Sequence, residues 1–266
     1  MKRLSVIIPV YNERATIRSV IARFEELNLE DVELILVDDG SSDGTTEILQ
    51  EAAPVTAKLI LQPSNGGKTS AVRAGLAVAT GDWVLVQDAD LEYDPADIPR
   101  LLAKADSIGG GPLAVYGKRP SYWSRPRRWM FAAGVLAIDV AMLAIHRRWV
   151  RDHATCYKLT PRHVLESFQL ESTGFEGCVE ITAKLMRAGI PIYQIPIAYH
   201  PRRTNEGKKL TASYGWTALK AAWHWRTWRP RPVHRASQGS PAMEARPVAD
   251  ANTSAPAEPA SVRVDA

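Results

Sequence analysis

The chain has 266 residues, 45% hydrophobic and 23% charged. These proportions suit a globular protein with one large domain or one domain with appendages, and they set aside a wholly disordered or fibrous chain. The net charge is only +4, but residues 30–106 are mostly acidic while 118–151 and 202–231 are strongly basic, which points to an anionic partner near the second half, phosphates or an acidic membrane face.

The first half alternates between two periods. "LSVIIPV" (4–10) is a continuous apolar, β-branched run and reads as a buried strand. "RATIRSVIARFEEL" follows with apolar residues at 17, 20, 21, 24 and 27, the spacing of one helical face. Next come "ELILVDD" as strand, "DGTTEILQEAA" as helix, "AKLILQ" as strand and "KTSAVRAGLAVA" as helix. "DWVLVQD" (strand), "DIPRLLAKA" (helix) and "LAVYGK" (strand) complete the series. Such alternation predicts an α/β fold, its mostly parallel sheet covered on both faces. Ligands of these sheets bind beyond the carboxyl ends of the strands. Tyr11 to Glu13, Asp38 with Asp39, and Asp88 to Glu92 stand at such ends.

Beyond residue 120 the pattern changes. Residues 127–149 read as an almost wholly apolar helix with Arg127, Arg128, Arg147 and Arg148 near its ends and Asp139 inside it. "TCYKLT" and "IPIYQIPIAYH" read as strands, with a helix over 177–188 between them. Residues 211–229 form a basic, Trp-rich helical segment. The folded domain is thus expected over 1–229. The Pro/Ala/Ser-rich tail 230–266 is expected to be disordered, lacking the apolar residues that offset ordering entropy. Cys156 and Cys178 have no metal-ligand spacing and read as reduced core thiols of a cytosolic protein. The apolar part of "MKRLSVIIPVYNE" is too short for a signal peptide, and no stretch reaches the roughly 18 apolar residues of a membrane span. The nearest, 130–145, carries Asp139.

Asp88, Asp90 and Glu92 are spaced two apart after an apolar run. Residues two apart on an extended chain face the same side, roughly 6.5–7 Å apart, so the three carboxylates can converge if the strand bends at its end. Hard oxygen ligands of this kind suit Mg²⁺ or Mn²⁺ held together with a substrate diphosphate. The competing reading is a solvated loop whose acids cap the helix after Pro95. In "LVDDGSSDGT", Ser42 or Asp43 can cap the next helix. Asp39 is then left to accept hydrogen bonds from a nucleobase. "NGGKTSAVRAG" lacks the phosphate-loop pattern, because Gln62 stands where its first glycine is required.

"SVIIPVYNE", "LVDDGSSDGT", "NGGKTSAVRAG" and "QDADLEYDP", in this order and spacing, resemble the glycosyltransferase family 2 nucleotide-sugar domain. "YGKR" (116–119), "RDHATCYKLTPR" (151–162), "GFEGCVEITAKLMRAGIPIYQIPIAYHPRR" (174–203) and "EGKKL" (206–210) resemble the polyprenyl-phosphate sugar transferases of the dolichol-phosphate mannose synthase group. The resemblance covers residues 4 to about 228 and implies a Rossmann-like, GT-A type fold with interfacial helices near 127–149 and 211–229.

By the same resemblance, Pro9, Tyr11, Glu13, Val37, Asp39 and Lys68 contact the nucleotide sugar. Asp88, Ala89 and Asp90 hold the sugar diphosphate and metal, with Glu92 as a further ligand. Arg202 or Arg203, with Lys209, contacts phosphate, and Arg119 and Arg128 take the acceptor phosphate. Asp90 and Arg119 carry the catalytic roles. The implied reaction moves mannose from GDP-mannose or glucose from UDP-glucose to a polyprenyl phosphate lipid, with inversion. A prenyl monophosphate is largely ionised near neutral pH, its second pKa being about 6, so it attacks without a general base. His146, His153, His163 and His200 are accordingly expected to pack or face solvent rather than catalyse.

Trp216, Leu219 and Trp223 share a helical face. Together with Lys220, Arg226, Arg229, Trp225 and Trp228 they predict peripheral contact with the cytoplasmic face of a membrane. A separate membrane-spanning subunit would serve the same end. Two other functions compete: a family 2 transferase with a soluble or polysaccharide acceptor, and a non-catalytic nucleotide-sugar-binding scaffold. The basic clusters argue against the first and the intact carboxylates against the second. Nucleic acid is not expected as a partner, since the basic charge is confined and carries no recognised motif.

Overall fold

β1 (Leu4–Val10) is buried along nearly its whole length because both its faces are covered. Leu4, Val6, Ile8 and Val10 point into one core, whereas Ile7 points into the other. This two-sided burial explains the continuous apolar run. The computed structural model describes residues 4–120, 129–202 and 214–230, with 129–133 and Tyr214 described by backbone alone. Arg128, Arg203, Lys209 and the tail from 231 lie outside the described residues.

In the first half β1 is followed by α1 (Ile17–Leu27), β2 (Val32–Asp38), α2 (Thr45–Ala52), β3 (Lys58–Leu61), α3 (Lys68–Val78), β4 (Trp83–Val86), α4 (Ile98–Ile108) and β5 (Ala114–Lys118). The second half contains α5 (Trp129–His146), β6 (Lys158–Pro161), α6 (Arg162–Phe168), α7 (Gly177–Arg187), β7 (Ile192–Pro196) and α8 (Tyr214–His224). The seven strands form one sheet in the order β3-β2-β1-β4-β6-β5-β7. Parallel pairing joins β3, β2, β1 and β4, and also β5 with β7. β6 runs antiparallel to both its neighbours, β4 and β5. The expected mostly parallel α/β sheet is therefore present, with one reversed strand wedged between β4 and β5.

α1 buries Ile17, Val20, Ile21 and Phe24, the face its spacing predicts, and ends where Asn28 adopts a left-handed conformation (φ 40°). α3 lies unusually close to the sheet. A Cβ added at Gly75 would stand 2.5 Å from Ile7 Cγ2, so only glycine permits that approach. On the same side, α5 packs on α8, and both pack on α7. Lys184 of α7 is fully buried, pairs with Glu180 at 2.5 Å, and lies 3.9 Å from the Trp225 ring centroid. This contact seats the turn at 225–227 on α7. Trp225 is buried, and Trp228 stacks edge-on against Phe168 at 5.4 Å. These two rings thus belong to the packing, a correction to their expected place near lipid headgroups. Among the described residues no helix is long and apolar enough to cross a membrane.

Candidate active site

A cavity of about 1030 Å³ opens beyond the carboxyl ends of β1, β2 and β4. One wall carries Pro9, Tyr11, Glu13, Asp39, Lys68, Asp88, Ala89, Asp90, Glu92, Arg119 and Arg202. Segments far apart in sequence thus meet on one cavity, as the position of a switch point in a parallel sheet requires. Val37 does not join them. It is fully buried, and its side chain faces α3, 3.3 Å from a Cβ placed on Gly75. Strand alternation turns it to the helix layer, so its expected contact with nucleoside is corrected.

Asp39 is committed to the following loop. Its carboxylate oxygens accept the backbone N–H groups of Gly66 at 2.8 Å and Gly67 at 2.9 Å. Gly67 has φ 91°, and a Cβ there would stand 2.6 Å from Thr173 O, so the loop needs glycine for both reasons. Asp43 accepts from Thr45 N–H at 3.0 Å, fixing the start of α2 as expected.

β4 ends at Val86, before the acids, and they do not lie on one extended face. Asp90 Oδ1 accepts the Glu92 N–H at 3.0 Å, and Leu91 between them has φ 61°. This turn swings Glu92 away. Its oxygens take the Tyr199 hydroxyl at 2.5 Å and the Arg202 N–H at 2.8 Å. Among the described residues no three His, Cys, Asp or Glu side chains gather as a metal cluster. Glu92, expected as a metal ligand, is instead the anchor of the 199–202 segment. Asp94, outside the triplet, does the capping, accepting from Ala96 N–H at 3.0 Å.

Asp88 and Asp90 remain side by side on the cavity wall. Burial, and then the charges of Asp88 and Glu92, push the Asp90 carboxyl up to about 7. Lys68 forms an ion pair with Asp88, which also accepts from Cys156 Sγ at 3.2 Å. Burial acts against the Lys68 ammonium, but the Asp88 charge outweighs it and holds the pKa well above its ordinary value. The two carboxylates carry more negative charge than one lysine offsets, and their oxygens suit a hard cation.

Arg202 Nη2 reaches Glu13 at 2.6 Å, and its Nε donates to Asp90 O at 2.9 Å. Glu13 is therefore a partner of this arginine as well as a wall of the cavity. Arg119, on the same cavity, is clasped by Asp152. The Nε donates at 3.0 Å and Nη2 at 2.5 Å, while the Arg119 backbone N–H donates at 3.0 Å. The Tyr199 ring lies 5.1 Å from the guanidinium. No spacing in the sequence marks Asp152 as this partner. The only signal for it was the need of a buried arginine for a carboxylate.

Another part of the lining is apolar: Gly134, Val135, Ala137 and Ile138 of α5, with Gly215, Trp216 and Leu219 of α8. One cavity thus joins a charged floor to a pair of apolar helices.

A sheet of this order with paired aspartates after β4 defines a GT-A type glycosyltransferase fold. The chain belongs to glycosyl transferase family 2, whose model matches residues 5–157. It is 30% identical over 212 residues to a dolichol-phosphate mannosyltransferase of Pyrococcus furiosus, covering 77% of this chain and 59% of that protein. It is 36% identical over 175 residues to an undecaprenyl-phosphate 4-deoxy-4-formamido-L-arabinose transferase of Aeromonas hydrophila, covering 59% of this chain and 52% of that protein. The chain thus spans little more than half the length of these curated relatives. Among solved structures it resembles glucosyl-3-phosphoglycerate synthase from Mycobacterium tuberculosis crystallised with Mg²⁺ and UDP. The TM-score is 0.63 at 23% identity, over 87% of this chain and 81% of that one. A second structure of that enzyme, with Mn²⁺ and UDP-glucose, gives a TM-score of 0.61 at 23% identity, over 84% and 79% of the two chains. At such identities the likeness establishes the fold.

Proposed function

We propose that the chain transfers a hexose, mannose or glucose, from a nucleotide diphosphate sugar to a polyprenyl monophosphate at a membrane surface. One observation carries this reading: a single cavity lined by Asp88 and Asp90 at one end and by the apolar faces of α5 and α8 at the other. A nucleotide diphosphate needs the first end, and an isoprenoid chain needs the second. The names of the two curated relatives support the same acceptor class.

Asp88 and Asp90 would hold Mg²⁺ or Mn²⁺. When bound, the cation offsets the negative charge of the departing diphosphate. Pro9, Tyr11 and Asp39 flank the nucleoside. Lys68 balances Asp88, and Arg202, braced by Glu13, places positive charge beside Asp90. Arg119, fixed by Asp152, presents its guanidinium to the acceptor phosphate. Fixed charges of this kind stabilise a transferring anion without reorganising. Attack from the side opposite the diphosphate inverts the anomeric carbon.

Membrane contact is supported by the exposed side chains of the same helices, Trp216 and Leu219 among them standing at the cavity. Leu136, Val140 and Leu143 of α5 and Trp216, Leu219 and Trp223 of α8 are exposed. Lys220 and Arg226 lie over the Trp216 and Trp223 rings, at 5.4 and 4.0 Å from their centroids. Exposed Trp beside Lys and Arg is the chemistry of a lipid-water boundary.

The test incubates the protein with labelled GDP-mannose or UDP-glucose, Mg²⁺ or Mn²⁺, and dolichyl or undecaprenyl phosphate, then extracts the lipid. Label in the lipid phase that needs the divalent ion is the expected result. Faster transfer to an uncharged soluble acceptor would overturn the reading.

A further inference from the structure

The α5 sequence carries one carboxylate, Asp139, within an otherwise apolar helix, and the structure buries it. An unpaired charge there would be strongly destabilising, so its partners define its purpose. Asp139 accepts the backbone N–H groups of Asp152 at 3.0 Å and His153 at 3.3 Å, and it meets His153 Nδ1 at 2.5 Å. A carboxylate only accepts, so the proton of this contact sits on Nδ1. The other nitrogen, Nε2, is buried and has no hydrogen-bond partner among the described residues. His153 has no exposed surface in its own right, yet it lines the cavity beside Ala154, Arg119 and Ile138. A buried nitrogen left unsatisfied is destabilising unless a ligand completes it.

The surroundings specify that ligand. Successive residues serve successive groups: Asp152 grips Arg119, while His153 rests on Asp139. Lys158, the other cation here, donates to the His153 carbonyl at 2.5 Å and is thereby held by the backbone. His153 and Arg119 therefore line the same cavity, each braced by its own carboxylate. We propose that His153 is a contact for the acceptor phosphate, with Nε2 taking the proton that a monoprotonated prenyl phosphate still carries. Asp139 is its positioning residue. This rests on the prenyl-phosphate reading above.

The second pKa of a phosphate monoester is about 6, so part of the acceptor still holds a proton near neutral pH. In the proposed step the P–O–H bond breaks and its proton moves to Nε2. A phosphate oxygen so freed forms the bond to the anomeric carbon. The bond from that carbon to the donor diphosphate breaks, and the diphosphate leaves with the electron pair. The imidazolium, balanced by Asp139, returns the proton to solvent once the product has gone.

The experiment uses the full chain labelled with ¹⁵N-histidine, with His153→Gln to assign the signal. On addition of farnesyl phosphate the His153 Nε2 resonance should move from lone-pair to N–H character, and farnesol should leave it unmoved. With polyprenyl phosphate as acceptor at about pH 5.5, where most of it is monoprotonated, His153→Gln should lower kcat about 100-fold and Asp139→Asn about 10-fold, and both losses should shrink as pH rises to about 8 and the acceptor becomes a dianion. A still Nε2 resonance while ³¹P spectra show farnesyl phosphate bound would overturn this proposal alone. So would movement caused by the donor instead, or wild-type turnover by His153→Gln at about pH 5.5. If farnesyl phosphate does not bind at all, the acceptor reading fails and this proposal falls with it.

Discussion

Asp152 holds Arg119 by both side chain and backbone: one carboxylate accepts the guanidinium Nε–H and the peptide N–H of the same residue, each at 3.0 Å. The side chains are 10% and 5% exposed, so each charge depends on the other. Removing one partner of a buried pair costs about 3–5 kcal/mol. Asp152→Ala should therefore lower unfolding stability by about 3 kcal/mol in urea titrations. Arg119→Lys keeps the charge but loses the planar fork. It should cut kcat with lipid phosphate about tenfold and leave donor affinity by calorimetry unchanged. An unaltered kcat would remove Arg119 from the acceptor site.

Lys68 and Asp88 make a second shielded pair on the same cavity, 15% and 19% exposed. Lys68→Met leaves Asp88 and Asp90 as neighbouring charges with nothing between them. Its melting temperature should fall in EDTA and recover in part with Mn²⁺. The gain on adding Mn²⁺ should exceed that of the wild type. Equal gains in both proteins would show that the aspartates do not share a cation.

Glu33 predicts the acid response. Burial raises its pKa, but hydrogen bonds from Ser5 and the Thr80 N–H, and the Lys58 ammonium, outweigh burial and lower it from 4.5 to about 2. Depression of a carboxyl in the folded state gives stability that is fully present above the unfolded value and lost as pH falls through the folded one. The window is therefore pH 5 down to pH 2, and the loss is about 3 kcal/mol. Glu33→Gln should be less stable at pH 7 and show a flatter decline across that window, measured by denaturant unfolding at each pH. A parallel decline in both proteins would contradict it.

Trp216 and Trp223 are 63% and 59% exposed, so replacing them should spare the fold. The double change to Ala should reduce sedimentation with anionic phospholipid vesicles at least tenfold, with an unchanged melting temperature. Undiminished sedimentation would place the membrane contact elsewhere.

Much of this architecture is legible in the sequence because burial on both faces writes β1 and β2 as unbroken apolar runs. The helical face of α1 is equally plain. β6 is different. "KLTP" is four residues long, and nothing in it records that its neighbours run the other way. α6 (Arg162–Phe168) was missed because seven residues give too few turns for a period. In the site, Asp88 and Asp90 are legible from their spacing, but the turn at Leu91 that removes Glu92 is not. Asp139 stood out as a charge in an apolar helix. Its partner, His153, lies 14 positions away across a loop, and no local pattern links them. Trp225 and Trp223 are near neighbours with opposite fates, and only the position of Lys184 separates them.

The reversed strand β6 also sets an order of assembly. β3, β2, β1 and β4 are contiguous in the sheet and complete by Val86, so these four strands can register as the first third of the chain emerges. β5 has no such neighbour waiting, because the place beside β4 belongs to residues 158–161. Until those residues insert, Arg119 and its clasp have no fixed distance from the aspartates. The Arg119 side of the cavity is therefore completed late, and a nascent chain halted before β6 would expose the free edge of β4.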